Sequence, residues 1–326
     1  MKHKMSYGKI SYVNKPVSRI LYGTASDLFK NGQDASELLD AMFDLGINTF
    51  DTARVYKGSE AALGKWMANR QNRDKVVILS KGGHPDPTGH KRISEEQIRE
   101  DFKISSEELQ TDYIDIYILH RDDPEVPVGE IVELFNAMHE EGKIGAFGGS
   151  NWTYQRIEEA NAYAASYGLI PFTVSSPNYG LAVQVQDLWG GGCVSISGPE
   201  HSLDRNWYRD NKMAIFSYSS LGRGLFSGKM KAAETDHVED YLDSFAIKGY
   251  ASPENFERLA RAEKLAYEKG LSVPQIALAY LHSSEMNTFS VIHSKSPERM
   301  QANIDALTIS LTENERDWLD LVRSSL

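Results

Sequence analysis

Eight short runs rich in β-branched and aromatic residues punctuate this chain, separated for the most part by longer stretches with apolar residues at helical spacing. The runs are VSRILYGT (17–24), NTFDTA (48–53), VVILSKG (76–82), YIDIYILH (113–120), GAFGGS (145–150), FTVSSPNY (172–179), AIFSYSSL (214–221) and TFSVIHS (288–294). Between them lie SELLDAMFDLG, SEAALGKWMANR, SEEQIREDFKISSEELQ, VGEIVELFNAMHEEG, TYQRIEEANAYAASYG and SPENFERLARAEKLAYEKG. Strands that are apolar on both faces and joined by crossover helices predict a parallel sheet covered by helices. Eight such units predict a (β/α)8 TIM barrel with long βα loops at its C-terminal face; an open doubly wound sheet is the rival. No Pro/Ser/Gly linker or low-complexity tract divides the sequence, so one domain over residues 1–326 is expected.

Local signals support the frame. Ser94 with Gln97 and Thr312 with Glu315 match the capping box, and Ser252-Pro253 and Ser296-Pro297 set a capping hydroxyl before a proline. Glycines 46, 142, 168 and 270 stand where helices should stop. After the sixth run, a Gly-rich aromatic segment from about 181 to 212 reads as a long loop with one short helix.

The net charge of −11 argues against a sequence-independent hold on nucleic acid or anionic membrane, which needs a cationic face. The single cysteine, Cys193, cannot form an intramolecular disulfide. No apolar run approaches the ~18 residues needed to span a bilayer, and MKHKMSYGKISYV lacks the apolar core of a secretory signal. A soluble cytoplasmic protein is expected, its oligomeric state left open.

In a parallel barrel the chemistry sits at the carboxyl ends of the strands. Three ionisable residues end consecutive runs here: Asp51 in NTFDTARVY, Lys81 in VVILSKGG and His120 in YILHRDD, with Tyr56 in the loop after Asp51. The combination suits acid catalysis. A phenol titrates near ~10, and a nearby ammonium, Lys81, favours its ionisation. Asp51 would hold and compensate that ammonium, while His120 would donate a hydrogen bond to a substrate carbonyl. A phosphate site on a barrel uses the loops after its last two strands and a helix N-terminus. Gly222-Arg223-Gly224 follows the seventh run, and Ser294, Lys295 and Ser296 precede a helix carrying Arg299 and Asn303. No G-x-G-x-x-G follows the first strand, and the GGG at 190–192 opens no helix.

GINTFDTARVYKGSEAALGKWM, ILSKGG, DIYILHRDD, GAFGGSNW, SYSSLGRGLFSGKM and HSKSPERMQANIDAL resemble, in order, the successive signatures of the aldo-keto reductase family, over residues 17 to 320. The general style is similar to the bacterial and potassium-channel-β-subunit-like branches. The resemblance implies a barrel that reduces aldehydes or ketones with a nicotinamide cofactor, using Asp51, Tyr56, Lys81 and His120 as a catalytic tetrad with Tyr56 as general acid. It implies that Ser294, Lys295, Arg299 and Asn303 grip the adenosine 2′-phosphate and adenine of NADP(H). Ser150 and Asn151 would hold the carboxamide and Tyr218 would stack on the nicotinamide, with Gly23, Thr24, Asp51, Ser176, Ser219, Leu221 and Arg223 completing the cofactor set. Two positions depart from the family pattern: Ser176 stands where a glutamine is frequent, and His293 where many NADPH-preferring members carry lysine.

Polar loops GGHPDPTGHKR and HRDDPEVP, with Trp189, Cys193, His201, Trp207 and Tyr208 after the sixth strand, suggest a hydroxylated or charged substrate such as a sugar-derived carbonyl, with Trp152 as an apolar wall. His84, Asp86 and His90 show no metal-ligand pattern, and Cys193 lacks an evident base. Two alternatives to a net reductase stay open: a sugar lyase or epimerase that retains its cofactor, and an NADPH-binding regulatory protein.

Overall fold

The computed structural model describes residues 3–30 and 33–326. A short antiparallel hairpin, β1 (Tyr7–Gly8) with β2 (Val17–Ser18), comes first. Eight strands follow: β3 (Ile20–Gly23), β4 (Thr49–Asp51), β5 (Val77–Gly82), β6 (Ile114–Leu119), β7 (Ile144–Ser150), β8 (Val174–Ser176), β9 (Ala214–Ser217) and β10 (Asn287–Ile292). Their order in the sheet is sequential and closed, β10 returning to β3. The fold is therefore the (β/α)8 barrel that the alternation predicts; an open doubly wound sheet would have left two edges.

Helices α1 (Ser36–Asp44), α2 (Ser59–Arg70), α3 (Glu95–Leu109), α4 (Val128–Glu140), α5 (Tyr154–Tyr167) and α6 (Ser202–Asp210) follow β3 to β8 in turn. Between β9 and β10 lie α7 (Ser244–Tyr250), α8 (Pro253–Lys269) and α9 (Val273–His282), and after β10 come α10 (Pro297–Asp305) and α11 (Glu313–Leu319). The segment from 181 to 212 is irregular apart from a single turn at Pro199–His201 and α6, as its composition suggested. The sequence reading missed α7 and α9. In VPQIALAYLH apolar residues face every direction, so no amphipathic stripe marks α9; seven of its residues, Val273, Ile276, Ala277, Leu278, Ala279, Tyr280 and Leu281, are buried.

The caps explain the boundaries. Ser94 and Gln97 exchange hydrogen bonds at the start of α3, as Thr312 and Glu315 do at α11. Ser252 and Ser296 accept from Asn255 N and Arg299 N, each with proline at the next position. Gly168 and Gly270 end α5 and α8 in the left-handed conformation, at φ 66° and 65°.

The chain forms two compact units, Tyr7–Ser176 and Pro177–Leu326 with residues 3–6. In the first, α2 turns Ala62, Leu63, Trp66 and Met67 inward, and the Trp66 ring lies 5.1 Å from that of Phe50 on β4. Burying such a side chain contributes roughly 1.5–3 kcal/mol. The indole N–H of Trp66 donates to Asp40 on α1 at 2.8 Å. Gly64 lets α2 and α3 cross closely: a Cβ there would sit 2.2 Å from the Glu108 carbonyl oxygen. At the starts of β5 and β6, buried Asp115 on β6 gathers Lys15 (2.8 Å), Arg73 (2.9 Å) and the Ile78 N–H of β5 (3.0 Å), tying the hairpin segment to both strands. In the second unit, buried Asp320 accepts from Tyr280 (3.0 Å) and Arg258 (3.4 Å), linking α9, α8 and the end of α11. Among the described residues no helix is long and apolar enough to cross a membrane.

Candidate active site

Backbone register brings the polar strand ends of the first unit together. Gly23 pairs with Asp51, Asp51 with Leu79, and Lys81 with Ile118. The ladder then runs past the strand ends: Thr24 N donates to Asp51 O (3.0 Å), Thr52 N to Leu79 O (2.9 Å), Arg54 N to Lys81 O (3.0 Å) and His120 N to Gly82 O (2.8 Å). Parallel pairing thus places Asp51, Lys81 and His120 side by side at one rim, although β5 continues one residue beyond Lys81 and β6 stops one before His120.

The side chains complete the cluster. Lys81 Nζ donates to Asp51 Oδ1 at 2.5 Å and to Thr52 O at 2.8 Å, and lies 5.1 Å from the centre of the Tyr56 ring. The Tyr56 ring meets His120 edge-on at 5.6 Å, and His120 meets His84 edge-on at 4.8 Å. The four predicted tetrad residues therefore form one contact group.

Burial dominates the electrostatics. It pushes the Lys81 ammonium down, yet the charges and hydrogen bonds of Asp51 and Tyr56 outweigh it and hold the net shift upward. Burial raises the Asp51 carboxyl, with Lys81 opposing. It also raises Tyr56 above the ordinary phenol, against the pull of Lys81 and Arg121. The expectation of a phenol lowered by Lys81 is thereby corrected: desolvation of the phenolate exceeds the attraction. His120 is driven well below the usual imidazole by burial, then by Lys81, His84 and Arg121, so its ring is neutral.

Other predicted residues of this unit form a second group. At the end of β7, Ser150 Oγ donates to Ser176 O (3.0 Å), while Asn151 N donates to the same oxygen (3.2 Å). Asn151, in the left-handed conformation at φ 60°, points its amide to Ser150 Oγ (3.1 Å) and His120 O (3.4 Å). Two expectations fail. Thr24 is 0% exposed, and its hydroxyl is committed to Asp51 O and Ser59 Oγ, so it fixes the start of α2 rather than meeting a ligand. Trp152 is likewise fully buried, 5.2 Å from Phe172, and is core rather than pocket wall.

In the second unit, Ser294 Oγ accepts from Ser296 N (3.1 Å), and the first turn of α10, capped by Ser296, carries Arg299. Lys295 and Arg299 are exposed and form no ion pair among the described residues, whereas Asn303 is buried. Ser296 Oγ donates to Glu298 at 2.7 Å. Two cations, hydroxyls and a helix N-terminus suit a phosphate. Arg223, at φ 50° between Gly222 and Gly224, pairs with Asp243 at 3.1 Å and lies over the Trp189 and Phe245 rings. Tyr218 meets Trp189 edge-on at 5.8 Å, with Ser219 at φ 53° and Leu221 leading into the glycine turn.

Sequence reasoning missed His84 and Arg121. His84 was weighed only as a metal ligand with Asp86 and His90; its Nδ1 bonds Pro85 O at 2.8 Å, and its ring meets that of His120. Arg121 stood only as one residue of the polar loop HRDDPEVP, with no role of its own.

The model of the Aldo/keto reductase family matches residues 19–323. The chain is 31% identical over 318 residues to the aldo-keto reductase ausK of Aspergillus calidoustus, covering 91% of this chain and 75% of that protein. It is 28% identical to the aryl-alcohol dehydrogenase GME11368 of Pestalotiopsis microspora (86% of this chain, 70% of that protein). Identity is also 28% to the norsolorinic acid reductase of Aspergillus flavus (87% and 70%). With a match over nearly its whole length and a barrel of the predicted order, the chain belongs to the Aldo/keto reductase family.

Proposed function

We propose that the protein is an NADP(H)-dependent reductase of aldehydes or ketones, with Tyr56 as the proton donor. The observation that carries this reading is the buried Asp51–Lys81 pair, its ammonium 5.1 Å from the centre of the Tyr56 ring, which in turn meets the neutral His120 edge-on. When bound, the nicotinamide supplies hydride to the carbonyl carbon. The chain manages the oxygen. Tyr56, protonated because burial raises it, donates its proton as negative charge develops there. Lys81 stays charged against Asp51 and stabilises the phenolate left behind. His120 Nδ1 is buried without a partner among the described residues. A stranded N–H costs more than a stranded acceptor, so the neutral ring carries its proton on Nε2 and offers it to the carbonyl oxygen.

Ser150, Asn151 and Ser176, gathered at the ends of β7 and β8, suit the carboxamide end of such a cofactor, with Gly23 and Asp51 on the same rim. In the second unit Ser294, Lys295, Arg299 and Asn303 suit the 2′-phosphate, and Tyr218, Ser219, Leu221 and Arg223 are assigned to the same cofactor. The polar loops favour a small hydroxylated or charged carbonyl compound, sugar-derived ones included. Relatives named for aryl alcohols extend the class to aromatic carbonyls.

The test is the fall in nicotinamide absorbance with a panel of aldehydes, comparing NADPH with NADH. NADPH-preferring consumption is expected. Product formation without net cofactor loss would point to the lyase or epimerase class, and tight NADPH binding without turnover would point to a regulatory role.

A further inference from the structure

We propose that Arg121 recognises a carboxylate on the substrate, so that the preferred carbonyl compound of this site is an oxo acid. The inference rests on the reductase reading and deepens it. Arg121 follows His120 directly at the end of β6 and is only 8% exposed. Among the described residues its one hydrogen bond is a long contact of 3.3 Å from Nη1 to the His120 carbonyl oxygen, and it has no carboxylate partner there.

Its neighbours differ. Lys81 has Asp51 at 2.5 Å, Lys91 has Asp123 at 2.7 Å, Arg92 has Asp101 at 3.0 Å and Arg156 has Asp122 at 3.2 Å. Both aspartates that follow Arg121 in sequence are thus taken by other cations. A buried guanidinium without an anion is costly to maintain, and its planar fork matches a carboxylate.

The location fits a substrate group. The Arg121 charge acts on Tyr56, His84 and His120, three rings in successive edge-on contact. Asp51 and Lys81 cancel each other, and both imidazoles are held toward their neutral forms. One uncompensated positive charge therefore remains beside the catalytic phenol, and an anionic substituent would neutralise it. A guanidinium that served only to tune Tyr56 would affect every substrate alike; one that binds a carboxylate discriminates.

The experiment compares the full-length wild type with Arg121→Met and Arg121→Lys. Specificity is read as the ratio of kcat/KM for carboxybenzaldehydes to that for benzaldehyde, and binding of benzoate against benzamide is read by calorimetry. The wild type should favour the carboxylated aldehyde by about tenfold or more through KM, and bind benzoate but not benzamide. Arg121→Met should abolish both preferences, and Arg121→Lys should retain part of each. No preference in the wild type, or equal losses for charged and neutral aldehydes in the variants, would overturn the assignment. If no aldehyde is reduced, the reductase reading fails by itself and the benzoate arm still decides: binding lost with Arg121 supports the carboxylate site, and binding unchanged refutes it.

Discussion

Lys81 and Asp51 bury opposite charges at 2.5 Å, and each is tolerable there only because of the other. Lys81→Met should therefore lower the unfolding free energy by about 3–5 kcal/mol in urea titrations by leaving the carboxylate alone, whereas Lys81→Met with Asp51→Leu should recover most of that loss. Additive losses would mean the pair is not coupled. The phenol gives a second prediction at this scale. Tyr56 acts while protonated and titrates above its ordinary 10.0, so reductive kcat/KM should stay level through neutral pH and fall only in strongly alkaline solution, as the pH passes the raised value. A decline near neutrality would show that burial does not control the proton. The meeting of Asp51, Lys81 and His120 at one rim was legible in the sequence because they interrupt apolar strands. The balance between desolvation and the Lys81 charge was not, since it depends on how much surrounding protein excludes water. Arg121 was hidden for a related reason: which aspartate pairs with which cation is decided by loop paths, not by adjacency.

Helices and strands here are set by caps and close approaches as much as by apolar pattern. Alanine normally stabilises a helix over glycine by about 0.5–1 kcal/mol, but Gly64→Ala in α2 would drive its Cβ to 2.2 Å from the Glu108 carbonyl oxygen. A lower denaturation midpoint, with a net loss of about 1–3 kcal/mol, is expected; a rise would mean α2 and α3 do not cross as described. At α10 the exposed Arg299, in the first turn of the helix, is proposed to meet the 2′-phosphate. Arg299→Ala should weaken NADPH about tenfold or more in fluorescence titrations while leaving NADH nearly unaltered, and equal effects would remove the arginine from that role. Capping motifs such as Ser94 with Gln97 were readable because they are local and sequential. The α2–α3 crossing at Gly64 and the uniformly apolar α9 were not, because both are defined by what packs against them.

For the molecule as a whole, membership of the Aldo/keto reductase family and the closed parallel barrel agree with the eightfold alternation of the sequence. The order of strands was legible because crossover helices allow few topologies. The course of the long segment after β8 was not, as its glycines and aromatics carry no period. A ligand that binds only the folded chain raises its stability by about 2.7 kcal/mol at a hundredfold excess over Kd. NADPH should therefore raise the thermal midpoint more than equimolar NADH, and equal shifts would contradict the assignment of the 2′-phosphate site. The central claim is that the Tyr56 hydroxyl supplies the proton. Single-turnover reduction by Tyr56→Phe, measured beside its NADPH affinity, tests it most directly: the account predicts a rate loss of about 10²–10⁴-fold at nearly unchanged affinity, and a rate close to wild type would contradict it.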